Sequence, residues 1–442
     1  MVVVHALLGS ISLVARHVPF IQQPAGVFSR ITASATGMEE EDAAAALVRW
    51  IEERGGHVSD SIAIERREGL RGIFTTADVS AGDLLMTIPM DCTISATENP
   101  EFGLTLAQLC ACRLGGAMAR NEFSEYIDSL PPSEPVLCDW SDDELSQLCS
   151  PALVAEAAAQ RDYVQTSIEQ MRPWVSGELS DRDIAWAERM VRTRALSFEY
   201  GWKGQRTMCL VPLIDLANHR TPQASQIEPV QIDLEAEAVR LVAPTHLSKG
   251  SEIQICYRLE GNGALLLDYG FAETPQAGDR VSYEQLRLGS PAAAAEAAGL
   301  IVDAAEAAAA SGGELIIGSD DDDEYAVRIL RLWLKQALRG GAPDEAEQEV
   351  SAANIDRAVC EVLSAACTTE FRRLTVAERA LTGVHGADAG TNSRARSAVG
   401  FRGGQFGQLE RTMDALYDVL QGDDIDASAI VEALRSAREF AS

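Results

Sequence analysis

The sequence predicts an α+β fold in which two strand-rich regions flank a helical segment and a helical region follows them. Runs rich in β-branched and aromatic residues, which strands prefer, occur at 58–64, 72–89 and 208–213. Apolar residues recur at helical spacing between about 104 and 196, and again in amphipathic segments beyond about 320. The order of these patterns along the chain predicts the fold class.

Length and charge limit the classes of function that fit. The chain has 442 residues, too many for one ordinary core, so we expect two domains with appendages. Its formal net charge of −30 repels phosphate backbones, and no basic patch with interleaved aromatic residues is found, so we expect no nucleic acid partner. No apolar run is long enough to cross a bilayer, so we expect no membrane partner either. The oligomeric state stays open.

The nine cysteines are scattered, with no C-x-x-C pair and no ligand spacing to histidine. Cys110 and Cys112 form a lone C-x-C pair, which more often means two small buried residues than two metal ligands. The odd count and the apolar neighbours favour a reducing compartment and predict no metal site.

The first 38 residues contain no Asp or Glu and carry Arg16 and Arg30 among several Ser and Thr. They give way abruptly to the acidic run Glu39-Glu40-Glu41-Asp42. This composition is typical of an organelle transit peptide, whereas a secretory signal would carry a basic residue before its apolar stretch. We therefore expect a plastid protein. A disordered leader, or a start at Met38, leaves the cytoplasm as the alternative.

The first elements are predicted to be a helix over 43–54, ended by Gly55, and short strands at 58–64 and 72–89. A hairpin turn is expected at Gly82. The expected core residues of this part are Ile73, Phe74, Val79, Leu84, Leu85 and Ile88.

The helical segment from Leu104 to Leu196 contains an expected extended link over 126–131, which begins with Tyr126. Ser141 followed by Glu144 predicts a helix N-terminus with a capping box. Beyond it, three amphipathic helices are predicted at 325–338, 355–366 and 406–420. The acidic run 320–324 is expected to be a solvated loop and cap, and 382–404, rich in Gly, Ala and Ser, to be a loop.

The stretch 208–219 contains a cluster of polar side chains that could bind a ligand or take part in chemistry. An apolar run of strand length ends in Asp215, Asn218 and His219. A second apolar strand, 253–257, leads through a Gly-Asn-Gly turn to Tyr269. These features are an Asn-His pair and two tyrosines at strand ends, and a glycine-rich turn at 69–72 accompanies them. The combination favours a site for a charged cofactor and a small transferred group.

Five segments occur in a recognisable order. They are Glu68-Gly-Leu-Arg-Gly-Ile-Phe, Asp78-Val-Ser-Ala-Gly-Asp-Leu-Leu, Val211-Pro-Leu-Ile-Asp-Leu-Ala-Asn-His, Gly250-Ser-Glu-Ile-Gln-Ile-Cys-Tyr and Leu267-Asp-Tyr-Gly-Phe. Each is weak alone, but in this order and spacing the chain resembles SET-domain methyltransferases of the Rubisco large-subunit lysine methyltransferase type. The resemblance implies a SET domain over 43–280, with a helical insert at about 104–196, and a helical substrate-binding domain over 281–442.

The resemblance implies S-adenosyl-L-methionine as cofactor, a protein substrate bound through the helical C-terminal domain, and direct in-line transfer without a metal. Tyr257 corresponds to the family's catalytic tyrosine, and Tyr269 to a second active-site tyrosine beside the lysine channel. The positions that correspond to cofactor contacts are Glu68, Gly69, Leu70, Arg71, Gly72, Arg194, Asp215, Asn218, His219, Tyr257 and Tyr269.

Each of these residues also has an ordinary structural interpretation. The glycines could form only a hairpin turn, the Asn-His pair only turn chemistry, Asp215 a structural cap and Arg194 part of a helix surface. Leu70 stands where the family has its first glycine, so the cofactor loop is expected to differ in detail.

The implied function is a protein-lysine N-methyltransferase. The cysteine-rich zinc segment that follows many histone-directed SET domains is absent, which favours a non-histone substrate such as Rubisco or fructose-bisphosphate aldolase. A protein-histidine methyltransferase similar to those of actin is the alternative within the family, although Tyr269 favours lysine. A catalytically silent SET-fold adaptor is the alternative from another class; the presence of Asn218, His219 and Tyr257 disfavours it.

Overall fold

A computed structural model describes most of the chain between residues 37 and 438. The described residues are 37–67, 69–133, 135–175, 177–199, 205–222, 226–258, 261–273, 286–298, 315–317, 320–337, 351–384, 393–422 and 425–438. They form two compact units. The first contains the described residues up to Pro135 together with Ala158–Arg258, and the second contains Val136–Ala157 together with those from 261 onward. The expected transit peptide lies outside the described residues except for its last two positions.

Strands and helices fall into separate runs along the chain, so the predicted α+β organisation is confirmed. The helices described are α1 (Gly37–Glu52), α2 (Leu106–Arg120), α3 (Ser124–Ile127), α4 (Asp142–Ser146), α5 (Pro151–Met171), α6 (Asp181–Arg194), α7 (Asn262–Tyr269), α8 (Pro291–Ala297), α9 (Asp320–Ala337), α10 (Ala352–Val384), α11 (Ser393–Gln421) and α12 (Ala427–Arg438). The strands described are β1 (His57–Val58), β2 (Ile62–Arg67), β3 (Leu70–Thr75), β4 (Leu84–Pro89), β5 (Ile94–Thr97), β6 (Leu196–Phe198), β7 (Thr207–Leu210), β8 (Asn218–His219), β9 (Val230–Asp233), β10 (Ala238–Val242), β11 (Glu252–Ile255), β12 (Leu286–Arg287) and β13 (Ile316–Ile317). None of the described helices combines the length and the apolar character needed to span a membrane.

The first unit is built on small sheets with the strand orders β1-β4-β10-β9, β2-β3-β11-β8 and β5-β7-β6. In the second of these, β11 pairs antiparallel with β3 on one side and parallel with β8 on the other. The parallel pair brings residues 218 and 219 beside residues 254 and 255. This sheet therefore gathers three of the sequence segments that carry the resemblance.

The core of the first unit packs the sheets against α1, α2 and α6. Ile73, Leu85 and Ile88 are fully or almost fully buried, as predicted, together with Leu114 of α2 and Met190 of α6. Leu84 was predicted to belong to this core and that prediction is wrong, because it begins β4 with 42% of its surface exposed.

The turn at Gly82 exists, but the prediction that it closes a hairpin is wrong. Gly82 has φ +85°, a left-handed conformation that glycine adopts without strain. The strands that flank it enter different sheets, since β3 pairs with β2 and β11, whereas β4 pairs with β1 and β10. The local sequence predicts the turn, but the strands that pair with β3 and β4 include β11 and β10, which come from distant parts of the chain.

The second unit is mainly helical, with β12 and β13 as a short antiparallel pair. Its larger core cluster includes Leu330, Val359, Leu363, Leu416 and Leu434, all at most 2% exposed. A smaller cluster packs Trp140 and Leu148 with Leu266 of α7 and Phe401 of α11. Helix α4 begins with the predicted capping box, in which Ser141 accepts from the Glu144 amide and the Glu144 carboxylate accepts from the Ser141 amide.

Three local predictions are corrected. Residues 126–131 are not an extended link, because Tyr126 lies in α3 and its side chain is completely buried. The acidic run 320–324 is the first turn of α9, where Asp323 forms a buried ion pair with Arg438 at 2.8 Å. Carboxylates suit the positive end of a helix dipole, which explains a helix where the charge run predicted a loop. The stretch 382–404 is largely helical, since α10 continues to 384 and α11 begins at 393.

Candidate active site

The Asn-His pair forms β8, a two-residue strand held along β11. Asn218 lies opposite Gln254 and His219 opposite Ile255. The Gln254 side chain donates from Nε2 to the His219 carbonyl oxygen at 3.3 Å. The pair is therefore fixed by a sheet, which is a stronger constraint than the simple turn that the sequence left open.

His219 contacts Tyr257 through the backbone and through the rings. The Tyr257 amide donates to His219 Nδ1 at 3.0 Å, and the two ring centroids are 5.3 Å apart. Because Nδ1 accepts this bond, the neutral imidazole carries its proton on Nε2. The histidine is 8% exposed, so its position is set by the first unit's interior.

The Tyr257 hydroxyl donates to the Ala217 carbonyl oxygen at 2.9 Å. Its proton is engaged there, so the phenolic oxygen acts as an acceptor toward any further group. Tyr257 lies two residues beyond the end of β11, and the prediction that it sits at a strand end is confirmed. Ala217, Asn218, His219 and Tyr257 thus form one connected set of contacts.

Asn218 donates both protons of its side-chain amide to the protein. Nδ2 lies 3.1 Å from the Arg71 carbonyl oxygen and 2.7 Å from Glu252 Oε1. Gly72 lies close to both side chains: a Cβ at that position would stand 2.6 Å from Glu252 Oε1 and 3.0 Å from Asn218 Nδ2. The glycine at 72 therefore makes room for the bond between Asn218 and Glu252.

Asp215 is buried and held from two directions. The Tyr126 hydroxyl donates to its Oδ2 at 2.7 Å, and Arg194 donates from Nη1 to its backbone oxygen at 3.0 Å. Burial, and then the Asp215 carboxylate, raise the pKa of Tyr126 well above its usual value, so the phenol stays protonated and keeps donating. Arg194 is only 14% exposed, which separates it from an ordinary helix-surface residue.

The backbone just before Asp215 is strained. Leu213 has φ +64° and ψ −45°, and the Ile214 amide donates across it to the Pro212 carbonyl oxygen at 2.8 Å. This is the rare kind of γ-turn, with a positive φ and a negative ψ, which costs about 1–3 kcal/mol for a residue with a side chain. Leu213 is completely buried, so packing holds the turn that leads the chain into 214–219.

The predicted glycine turn is a tight hairpin between β2 and β3. Gly69 adopts φ +86° just before β3, and Leu70 is 67% exposed at the start of that strand. Arg71 donates to the Ser129 carbonyl oxygen at 2.9 Å, while its own carbonyl oxygen receives the Asn218 amide. The hairpin thus contacts the Asn-His segment through Arg71 and Gly72. Glu68, predicted as a cofactor contact, lies outside the described residues.

Tyr269 belongs to the second unit and is described there by itself. It is the last residue of α7, which Gly270 ends in a left-handed conformation with φ +80°. The prediction of a strand end at Tyr269 is therefore wrong, and the expected Gly-Asn-Gly turn is instead the start of this helix. Asn262 in that turn is buried, and its side chain both donates to the Glu273 carbonyl oxygen and accepts from the Glu273 amide.

Two residues of the site were not predicted, Glu252 and Tyr126. In β11, Ile253 and Ile255 are buried while Glu252 and Gln254 point to the other face, and this alternation could have placed Glu252 beside its neighbours. No local signal identifies Tyr126, because its partner lies 89 residues away.

The fold of this chain matches that of known proteins, although its sequence matches no family model. A crystal structure of the SET domain of LSMT bound to methyl-lysine and AdoHcy superposes with a TM-score of 0.58 and 18% identity, covering 86% of this chain and 92% of that one. This is the SET-domain fold of the Rubisco methyltransferase. The resemblance predicted from the sequence is confirmed at the level of the fold.

Relatives of this SET-domain chain include two plant enzymes and one animal enzyme. A chloroplastic fructose-bisphosphate aldolase-lysine N-methyltransferase of Arabidopsis thaliana is 25% identical over 292 residues, 57% of this chain and 58% of that protein. A chloroplastic Rubisco large subunit N-methyltransferase of Nicotiana tabacum is 26% identical over 236 residues, 48% of this chain and 47% of that protein. An actin-histidine N-methyltransferase of Dasypus novemcinctus is 23% identical over 278 residues, 57% of this chain and 46% of that protein. The chain thus spans about half the length of the curated relatives it matches.

Proposed function

We propose that this SET-domain protein is an S-adenosyl-L-methionine-dependent protein-lysine N-methyltransferase that acts on a non-histone protein. The observation that carries the proposal is the connected set formed by Asn218, His219 and Tyr257. The sequence motifs single out these three residues, which come from two segments about 40 residues apart. Tyr257 donates its amide to His219 Nδ1 at 3.0 Å and its hydroxyl to the Ala217 carbonyl oxygen at 2.9 Å, and β8, which is Asn218 and His219, pairs with β11.

The residues present fit this cofactor. Asn218 uses both amide protons on the protein and Tyr257 uses its hydroxyl proton on Ala217, so both side chains offer oxygen acceptors to a ligand. Acceptors suit the ammonium group of the cofactor and the electron-poor methyl beside its sulfur. We propose that Glu68, Gly69, Leu70, Arg71, Gly72, Arg194, Asp215 and His219 complete the cofactor site, partly by fixing the backbone around it.

When bound, S-adenosyl-L-methionine would supply a methyl group on a cationic sulfur: an amine nitrogen bonds to the methyl carbon while the carbon–sulfur bond breaks, and the sulfur leaves as a neutral thioether. The chain's own residues must then orient the amine and hold it unprotonated. At pH 7, removing the proton of an amine with a pKa of about 10.4 costs about 4–5 kcal/mol. Tyr257 would accept a hydrogen bond from the nitrogen and hold it on the line of attack. We propose Tyr269 as a second active-site tyrosine on the resemblance of its sequence motif alone.

The protein substrate is proposed to dock on the helical region 281–442. Rubisco large subunit and fructose-bisphosphate aldolase are the first candidates, because they are the substrates in the names of two relatives. The same names contain the word chloroplastic, which supports the plastid location expected from the acid-free N-terminus.

The proposal is tested by incubating the protein with isotope-labelled S-adenosylmethionine and each candidate substrate, followed by mass spectrometry of the modified residue. Lysine methylation that falls by about 100-fold in Tyr257→Phe, which keeps the ring but loses the hydroxyl, is the expected result. Thermal unfolding of both proteins is the control for folding. Label found only on residues other than lysine would contradict the lysine assignment.

A protein-histidine methyltransferase is the second candidate, because the actin-histidine relatives match a similar share of the chain. Tyr269 favours lysine over this alternative. Actin added to the same assay separates the two, since methylation of actin histidine and of no lysine would select the second candidate. A titration in which the wild-type protein binds no cofactor would instead support a silent SET-fold adaptor.

A further inference from the structure

The orientation of the Asn218 amide is fixed by chemistry as well as by distance. Its nitrogen faces the Arg71 carbonyl oxygen and the Glu252 carboxylate, and both of these groups can only accept hydrogen bonds. A flipped amide would place its oxygen against two acceptors. The nitrogen therefore points into the protein, and Oδ1 is the atom that Asn218 can offer to a ligand.

Glu252 supplies the shorter and stronger of these two bonds. At 2.7 Å its bond to Nδ2 is charge-assisted, whereas the bond to the uncharged Arg71 carbonyl oxygen is 3.1 Å. With Arg71 alone, one proton would anchor the amide and its plane could still rotate. Two acceptors on two sides of Nδ2 fix the plane.

The surroundings of Glu252 are arranged for this contact. Because strand side chains alternate, Glu252 and Gln254 lie on the same face of the sheet, and Gln254 donates to the His219 carbonyl oxygen on the neighbouring strand β8. Gly72 keeps the opposite strand clear, since its missing Cβ would stand 2.6 Å from Glu252 Oε1. One strand thus positions both residues of the Asn-His pair.

We propose that Glu252 is a positioning residue that holds the Asn218 carbonyl oxygen toward the amino group of the cofactor, and so selects ligands whose amino-acid end carries a hydrogen-bond donor. This rests on the proposed function, because it needs the cofactor to bind at Asn218. Glu252 acts through Asn218 and takes no part in the transfer itself.

The test compares two ligands that differ only in that donor: S-adenosylhomocysteine and its desamino analogue, which keeps the carboxylate and the adenosine. Dissociation constants are measured by competition against labelled cofactor for the wild type, Glu252→Ala, Glu252→Gln and Asn218→Ala. We expect Glu252→Ala to lower the preference for the amino ligand about tenfold, the equivalent of about 1.4 kcal/mol. Glu252→Gln should retain most of the preference, because its amide oxygen can still accept from Nδ2.

The double variant Asn218→Ala/Glu252→Ala gives the decisive control. If Glu252 acts through Asn218, the double variant should show the same preference as Asn218→Ala alone. Equal weakening of both ligands by Glu252→Ala would mean a general structural role and would overturn the proposal, as would an unchanged preference. A wild type that binds neither ligand would overturn the proposed function as well, and this outcome is distinct from the other two.

Discussion

Several side chains of the candidate site donate hydrogen bonds to backbone carbonyl groups. Tyr257 donates to the Ala217 carbonyl oxygen, Gln254 to that of His219, Arg194 to that of Asp215, and Asn218 to that of Arg71. A carbonyl held by a side chain cannot shift without breaking the bond. At the residue scale, the site is therefore rigid because its loop, 214–219, is fixed at three carbonyl groups, those of Asp215, Ala217 and His219.

Gly72→Ala is the sharpest test of this rigidity. The new Cβ would meet Glu252 Oε1 at 2.6 Å and Asn218 Nδ2 at 3.0 Å, so the bond between those side chains must lengthen or break. We expect the free energy of unfolding to fall by about 1–3 kcal/mol, and cofactor affinity to fall with it.

Gly403→Ala is the matched control for that variant. Gly403 lies exposed within α11, and a Cβ there would meet nothing within 4 Å. Alanine should raise stability by about 0.5–1 kcal/mol there and leave cofactor binding unchanged. Chemical denaturation and a binding titration on both variants check the pair. A Gly72→Ala protein as stable and as active as Gly403→Ala would contradict the close packing described.

Tyr126→Phe tests the buried support of Asp215. The substitution removes the donor 2.7 Å from Asp215 Oδ2 while the ring remains, so the loss reports the hydrogen bond. We expect about 1–3 kcal/mol less stability, measured by urea unfolding. Tyr163→Phe, on the first unit's helix α5 and partly exposed, removes a hydroxyl from a less buried ring and is the comparison. Equal effects of the two substitutions would argue against a special role for Tyr126.

The sequence predicted Asn218, His219 and Tyr257 because family motifs mark them, and it missed Glu252 and Tyr126 because their roles depend on register. Glu252 meets Asn218 across 34 residues and Tyr126 meets Asp215 across 89. Neither separation follows from a local pattern, since it is set by which strands and helices become neighbours.

At the scale of elements, the long amphipathic helices were predicted correctly in position but not in length. The hydrophobic periodicity that marks 406–420 weakens before Phe406, where glycine and serine predicted a loop, yet α11 already begins at Ser393. Phe401 and Ala398 are buried against Trp140 and other residues of the second unit, and this packing outweighs the low helix propensity of glycine.

Helix α4 offers a prediction about pH. Burial alone would raise the pKa of Glu144, but hydrogen bonds from the Ser141 amide and hydroxyl and from the Arg394 guanidinium hold it below its usual range. A carboxyl with a lowered pKa in the folded state stabilises the fold above its unfolded pKa of about 4.3, and this stabilisation is lost as the pH falls through the folded pKa.

We therefore expect Glu144→Gln to be less stable than the wild type by about 1 kcal/mol at pH 7, with the difference shrinking below about pH 4. Denaturation at a series of pH values checks it. Glu125→Gln, an exposed carboxylate in the first turn of α3, is the control, and its difference should be smaller. A gap that is constant with pH would exclude a contribution from the Glu144 charge.

At the scale of the whole molecule, the chain keeps nine free thiols distributed over both units. Burial raises the pKa of Cys110, Cys360 and Cys367 to about 12 in each case, so these thiols stay protonated at neutral pH. A protonated and buried thiol is a poor nucleophile.

The rate at which thiols react should therefore differ between the folded and the unfolded protein. With a disulfide reagent at pH 8, we expect the partly exposed cysteines, which are Cys112, Cys149 and Cys256, to react faster than the buried ones, and all nine to react rapidly after denaturation. Counting the released chromophore against time checks this. Rapid reaction of all nine in the native protein would contradict the burial described.

The position of β3 between β2 and β11 has a consequence for folding during synthesis. β2 is its neighbour in sequence, but its other edge waits for β11, and Thr75 bonds to Ser251 across 176 residues. While the intervening chain leaves the ribosome, a strand carrying Ile73 and Phe74 has an open edge, which invites pairing with other nascent chains. Tyr257 follows β11 in the chain, so the proposed site cannot form before this edge of β3 can be covered, and chaperones that mask β3 would act in that interval.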